Sequence, residues 1–503
     1  MSIEQAAEDP GAFDRSRERF QAVLGWLQGQ EAGGSSHADL EARLQVDARE
    51  LFRLLLQDHL DLRAGRETRL QEVLDAQGVP RGNAEAGHTR GLDTVFGEVE
   101  VSRIAYRRRG QPNLHPADGL LNLPTEKHSH GLRRLAAIES TRGSFDDAVQ
   151  AIERATGQQL GKRQVETLAA RAAVDVEAFY AEGRAPTSEP GDVLVISCDG
   201  KGVVMRPDAL RPATATAAAA AAPKLATRLS KGEKRNRKRI AEVGTVYDAT
   251  PAVRTPTDIL PATDEQRRDA NPGPATRNKW LTASVVNDAA SVINQVFDEA
   301  DRRDPDHHRT WVALVDGNNH QIQRIHAESR TRNAPVTIVI DIIHVLEYLW
   351  KATWCFHAEG DPAAEDWVRR HATAVLAGRA TRVAGAIRRQ ATKAGLDRGR
   401  RAGADTAATY LTNKRAYLDY PTALAQGWPI ATGVIEGACR HLVKDRMDIT
   451  GARWGLNGAE NILKLRAVHS NGDFDQYWNY HLAQELQRVH QTRYADNEIP
   501  QAA

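Results

Sequence analysis

Three short apolar runs constrain this chain most. VLVISCDG (193–200), TWVALVDG (310–317) and PVTIVIDIIH (335–344) are continuous in aliphatic residues, and each carries an acid at or near its end. A strand that is apolar on both faces must be covered on both faces, so these runs predict an internal sheet flanked by helices. EVGTVYDATPAV (242–253) reads as a further strand. Strands interleaved with helical segments give an α/β layer. An acid closing a buried strand lies at the carboxyl edge of the sheet, where open α/β sheets hold their ligands. Asp199 and Asp316 are such acids, each followed by a glycine that leaves room for a close approach to the backbone.

The rest of the chain divides around this sheet. Residues 1–36 are polar and read as a flexible arm, and 37–185 as a mainly helical N-terminal region. In that region 37–74 has helical spacing, and the alternating TVFGEVEVSRIAYRRRG (94–110) predicts a short hairpin. SFDDAVQAIERATGQQLGKRQVETLAARAA (144–173) reads as helix, glycine turn, helix, opened by Ser144 with Asp147 three residues on. That outline, within 144–176, fits a helix-turn-helix whose second helix displays Lys162, Arg163, Gln164 and Thr167, and equally a plain helical hairpin. The α/β core starts in 192–346, with a basic, low-complexity insert at 206–240 in which RPATATAAAAAAP (211–223) reads as flexible. An Ala- and Arg-rich helical insertion follows at 347–425, then the rest of the core at 426–485 and a tail at 486–503.

Composition excludes several classes. Net charge is only +1, so nucleic-acid binding cannot be argued from the whole chain and must come from local clusters. The three cysteines, Cys198, Cys355 and Cys439, form no CxxC pair, which excludes a cysteine-rich structural zinc site within one chain, and their odd, sparse count argues against a secreted disulfide scaffold. The N-terminal segment has acids and no apolar h-region, and the best apolar run, Val336 to Trp350, is broken by Asp341, His344 and Glu347. The expectation is a cytoplasmic, nucleoid-associated protein with no membrane contact.

Two converging carboxylates repel, and a bound divalent cation relieves that cost. Hard oxygens suit Mg2+ or Mn2+. A third carboxylate would complete a two-ion site for in-line phosphoryl displacement. Glu436 is the best candidate, with Arg440 and Lys444 following at helical spacing on a similar face. Glu460 is its rival. Taken singly, an Asp-Gly after a strand is more often a turn, and Glu436 could be a surface partner of Arg440. The order of two strand-ending acids and one helical acid carries the reading.

CDGKGVVM, LVDGNNHQ, DIIHVLEYLW and GVIEGACRHLVKDRMDITGARWGLNGAENILKLRAV together resemble bacterial insertion-sequence transposases of the DDE type, most closely the Kra-type family. The resemblance spans about residues 90–480 and is most specific in the last block. It implies an RNase-H-like catalytic core in which Asp199, Asp316 and Glu436 are both the catalytic triad and the ligands of two Mg2+ or Mn2+ ions. It makes 347–425 the insertion that some such enzymes carry before the glutamate. It also implies double-stranded DNA (element ends and target) as partner, a homo-oligomer, and no small-molecule cofactor. Asp341 and His344 match a D/CxxH pattern of related enzymes, which would bring them to the rim of the site. Read from the residues, a core hydrogen-bonded Asp341–His344 pair is favoured. Relatives often carry a cysteine-containing, zinc-ribbon-like segment after the hairpin, whereas this chain has YRRRGQPNLHPADGLL, with Arg107, Arg108 and Arg109 left for DNA contact.

Two cation clusters flank the acids. KLATRLSKGEKRNRKR (224–239) and residues 379–401 each hold eight Lys or Arg and one acid. A charge run is usually a solvated face, but its position beside the acids favours phosphate contact through Lys231, Lys234, Arg235, Arg237, Lys238 and Arg239, with Arg440 and Lys444 near the glutamate. Trp454 lies near the third acid; most tryptophans pack, and base stacking is the lesser reading. Two rival functions remain: a sequence-specific DNA-binding protein with an inert core, and an actin-like ATP-dependent phosphotransferase suggested by DGKG. The second lacks a further glycine-rich phosphate loop.

Overall fold

The computed structural model describes residues 11–183, 188–189, 191–220, 225, 227, 237–449 and 451–501. The chain forms two compact units, one from 1–181 with 473–503 and one from 182–472. The second boundary thus falls at Gly472, ahead of the 485/486 division read from sequence, and the terminal segment is part of the first unit.

The first unit is mainly helical with a two-stranded sheet. The hairpin is antiparallel, β1 (Asn83–Thr94) with β2 (Gly97–Arg107), so the segment read as 94–110 is its second strand and turn. The expected flexible arm contains instead a helix, α1 (Asp14–Leu27), docked on α2 (His37–Arg66). Charge rather than an apolar stripe holds it. The buried Asp58 accepts the Arg15 Nε–H at 2.8 Å and the Ser16 backbone N–H at 3.1 Å, and the buried Asp47 pairs with Arg19 and Arg43. The helical pairing read at 144–176 is present. After α3 (His130–Arg142), α4 (Phe145–Thr156) opens with a capping box between Ser144 and Asp147. Gly157 then turns the chain at φ 72°, and α5 (Lys162–Ala172) follows. Ile152, Val165 and Leu168 bury against Leu132 of α3.

The second unit is a mixed α/β layer. Its sheet has the order β5-β4-β3-β6-β7, from β3 (Val193–Val204), β4 (Lys238–Thr250), β5 (Ala275–Ser284), β6 (Trp311–Val315) and β7 (Val336–Ile340). β3, β4 and β5 run antiparallel, whereas β6 and β7 are parallel to β3. All five residues of β6 are buried, as its unbroken apolar sequence requires. β5 gave no sequence signal, because its first half, Ala275–Lys279, is exposed at the edge. One face is covered by α6 (Ala289–Arg303) and α7 (Asn319–Thr331). Gly244 of β4 admits α6 closely, since a Cβ there would lie 2.5 Å from Val296. The stretch 347–425 is helical as expected. α8 (Ile342–Thr353), α9 (Pro362–Leu376), α10 (Ala380–Lys393) and α11 (Ala402–Asn413) pack in sequence, and α11 closes back on α8. The alanine-rich segment read as flexible is helical over Pro212–Ala220. Alanine loses no side-chain entropy in a helix, so this composition favours one.

Candidate active site at the carboxyl edge of the sheet

Sheet register brings the strand-end acids to the carboxyl edge. Ser197 pairs with Leu314, the last rung between β3 and β6, and Val315 pairs with Ile340, the last between β6 and β7. Asp199 follows two residues beyond its rung, and Asp316 and Asp341 one residue beyond theirs, with the Asp341 N–H donating to Val315 O at 2.9 Å. Cys198 pairs with Gly244 and so faces α6, which turns Asp199 to the opposite side.

That opposite side receives the helix of Glu436. α12 (Gly433–Ala438) continues into a π-helical turn, Cys439–Lys444, and both pack on β3. Such turns are rare and concentrate at functional sites. The buried Cys439 donates its S–H to Asp199 Oδ2 at 3.3 Å, one turn after Glu436. Burial first, then Asp199, pushes the Cys439 thiol well above its ordinary range. At the other end of α12, Thr432 contacts both Asp341 Oδ2 and, at 3.1 Å, Glu436 Oε1. The Ile342 N–H donates to Ile430 O at 2.9 Å, so the strand end and the approach to α12 are joined through backbone as well. Glu436, Arg440 and Lys444 are all exposed, the face expected of them.

Asp316 is held from the insertion. Its Oδ1 accepts the Asn318 N–H at 2.7 Å, and its backbone oxygen accepts the Tyr410 hydroxyl of α11 at 3.1 Å. Gly317, at φ 95°, is required here, since a Cβ would fall 2.8 Å from that hydroxyl. Burial, then Tyr348 and the acids Asp316, Asp341 and Glu347, pushes the Tyr410 phenol up. Burial also pulls the Lys414 ammonium down, against the pull of Asp316. On the α6 face, Glu242 opposite Gly200 is raised by burial, Asp199 adding to the shift. Sequence reading missed Thr432, Cys439, Tyr410, Lys414 and Glu242, because a contact made only on folding leaves no local period or spacing.

The donor set is all hard oxygen and fits Mg2+ or Mn2+ in kind. It is not a ready cage: among the described residues, no group of three His, Cys, Asp or Glu side chains is gathered closely enough to hold a metal ion. Each carboxylate is engaged with its own neighbours, Asp199 with Gly200 N and Cys439, Asp316 with Asn318 N, and Glu436 with Thr432.

Other expected residues fall differently. Asp341 and His344 do not form a pair. Asp341 is fully buried and caps α8 through the Ile343 N–H at 2.8 Å, while His344 turns to Glu347 at 3.4 Å. Glu460 is structural, accepting from Ser284 Oγ and from the Val285 and Val286 N–H groups. Trp454 is buried, donates to Met447 O at 3.0 Å and stacks under Arg446, so it has no face free for a base. Lys231, Lys234 and Arg235 lie outside the described residues. Arg239 is spent on the backbone oxygens of Val285, Ala209 and Val286, Arg237 is half-buried, and Lys238 is exposed. In the run 379–401 every cation but Arg401 is exposed. In the first unit, Lys162 pairs with Asp146, and Arg163 lines a hollow of about 270 Å³ with Lys127, Thr167 and Arg171. Among the described residues, no helix is long and apolar enough to cross a membrane. No protein-family model matches the chain, and no curated protein matches it significantly.

Proposed function

We propose that this chain is a DNA transposase with an RNase-H-like core, cutting DNA at the ends of an insertion sequence and joining them to target DNA. The observation that carries the reading is the place of Asp199 and Asp316 just beyond the paired ends of β3 and β6, with the Glu436 helix bonded to Asp199 through Cys439. A first strand at the centre, two antiparallel partners on one side and two parallel strands on the other agree with such a core.

Asp199, Asp316 and Glu436 would hold the two divalent cations. When bound, these supply charge stabilisation to the attacking and leaving oxygens of a phosphodiester. The side chains around them orient the acids: Cys439 holds Asp199, Asn318 N–H and the Tyr410 contact hold the Asp316 turn, and Thr432 holds Glu436. Water attacks the phosphodiester in line and frees a 3′-hydroxyl. That hydroxyl then attacks a target phosphodiester, one P–O bond forming as another breaks. Exposed cations of 379–401, with Lys238, Arg440 and Lys444, neutralise backbone phosphates and position the duplex.

The test uses a plasmid carrying the gene with its flanking DNA. Asp199→Ala, Asp316→Ala and Glu436→Ala are each expected to abolish Mg2+-dependent cleavage at the element ends. Full cleavage by the Asp199 or Asp316 variant rejects the assignment. A second reading, a DNA-binding protein with an inert core, is favoured by the absence of a gathered acid cluster among the described residues. Its signature is DNA retention that persists in EDTA, with no nicking in Mg2+ or Mn2+.

A further inference from the structure

The helical pair α1–α2 hides its charges and shows its leucines. Arg15 meets Asp58, and the Arg43 guanidinium lies 5.2 Å from the Trp26 ring centre, so the two helices run antiparallel. Between them lie the buried Asp47 and Asp58, neutralised by Arg15, Arg19 and Arg43. At about 100° per residue, Leu44, Leu51, Leu55 and Leu62 fall within about 40° of one another on α2. This stripe lies roughly a quarter-turn from the residues facing α1. It is opposite Gln57 and Leu60, which turn to β2 through Glu100 and a shared core with Val99 and Val101. On α1, Phe20, Leu24 and Leu27 likewise stand about a quarter-turn from Arg15, Ser16 and Arg19. The rotation from contact to apolar row has the same sense along both sequences. In antiparallel helices that sets the two rows on one side of the pair. Phe20 is 47% exposed, Leu27 and Leu55 are 39%, and Leu44 is 36%. Single exposed leucines are ordinary, whereas a continuous apolar face over two neighbouring helices marks an interaction surface.

Three features name its occupant. A two-helix layer that is apolar on one outer face is half of a four-helix bundle, and an identical layer related by a two-fold axis supplies the other half. At 1.5 Å per residue α2 is about 45 Å long and α1 about 21 Å, so the layer offers area on the order of the 800 Å² per partner that a stable interface buries. Charge along α2 is complementary to itself reversed: Asp39 and Glu41 stand near its start, and Arg63 and Arg66 in its last turn. A second α2 laid antiparallel sets each end against the opposite charge.

We propose that the chain pairs through this face with a second copy of itself, the two α2 helices antiparallel and meeting at Leu51, midway between Leu40 and Leu62. In that register Asp39 of one copy lies level with Arg63 of the other. The pairing is independent of the reading of the acids, and neither DNA nor a metal ion enters it.

The experiment is sedimentation velocity of the full chain, without DNA, over a concentration series. The unaltered protein is expected to sediment as a dimer. Leu44→Glu and Leu55→Glu should each weaken association by about 100-fold or more, because each places a charge in the buried face twice, once from each copy. Val46 is 60% exposed but lies off the stripe, so Val46→Glu should leave the dimer intact. Cross-linking by a short bismaleimide in a Cys355→Ser background gives a second readout. Leu51→Cys is expected to link to its own mate, and Leu44→Cys, two turns from the axis, is not. These cysteine variants keep the face almost intact and decide the matter should a glutamate variant fail to fold. An unaltered protein that stays monomeric assigns the face to a different partner and overturns the proposal. So does a dimer that survives both Leu44→Glu and Leu55→Glu, or a linked product from Leu44→Cys, which requires parallel helices.

Discussion

At the scale of single residues, the thiols report how the site is closed. Cys198 and Cys439 are buried on opposite faces of the same sheet, and Cys355 is half-buried on α8's C-terminal turn. Burial pushes the Cys198 and Cys439 thiols up, with Asp199 adding to both shifts. Only the thiolate attacks a disulfide reagent. At pH 8 a colorimetric disulfide reagent is therefore expected to titrate Cys355 in the native protein, and Cys198 and Cys439 only after denaturation. Rapid native reaction of Cys439, located by peptide mapping, would show that the contact between α12 and Asp199 is open in solution.

At the scale of elements, the return from the helical insertion to Glu436 is stitched to the end of β4. The Ala252 N–H donates to Gly427 O at 3.0 Å, the Arg254 N–H to Leu424 O at 3.1 Å, and the Arg254 guanidinium to Trp428 O at 2.6 Å. Gly427 has φ 72°, and a Cβ there would sit 2.4 Å from Ala252 N. Gly427→Ala is expected to cost about 2–4 kcal/mol, from left-handed strain and a backbone clash together. Gly437, inside α12, meets nothing within 4 Å. Gly437→Ala should instead stabilise by about 0.5–1 kcal/mol. Urea denaturation of the two variants gives opposite signs if α12 and its approach are as described, and equal effects refute the arrangement. Elements were legible where burial or capping acts locally. β6 is buried throughout, and so are Val193–Cys198 of β3 and Ile338–Ile340 of β7, so these stretches read as mostly apolar runs, and Ser144 with Asp147 announces α4. The hidden ones draw stability from elsewhere. α1 is anchored by the buried carboxylates Asp47 and Asp58, which no apolar period records, and β5 owes its place to pairing with β4. The site follows the same rule. Asp199, Asp316 and Glu436 stood out as acids on legible elements, whereas Thr432 and Cys439 acquire meaning only from the partners that folding brings.

At the scale of the whole molecule, the chain completes its first unit with its last thirty or so residues, because 473–503 return to it. The buried Arg133 of α3 is neutralised by Glu126 and by Glu485 from that returning segment, and His481 bonds to Asp175 at 2.6 Å. In the same unit His115 and His130 are partly buried, and their charge is poorly tolerated. Burial, then Arg103, His88 and Arg493 against the pull of Asp118, brings His115 down to about 4. Burial and Arg133 bring His130 down to about 4 as well, and its Nδ1 finds no partner among the described residues. In the unfolded chain both titrate near 6.5. Between those values the unfolded state binds more protons than the folded one, so stability rises with pH. Their contribution is complete above about pH 6.5 and is lost as pH falls toward about 4, at roughly 2–3 kcal/mol for each histidine. Amide-exchange free energies for peptides of α3 are therefore expected to fall between pH 7 and pH 4.5, after correction for intrinsic exchange. His130→Gln removes one titrating group from this window and should reduce the fall by about half. An unchanged pH dependence in that variant would mean that His130 carries its proton in the folded protein, and that the buried arginine network, not the histidine, governs the acid side.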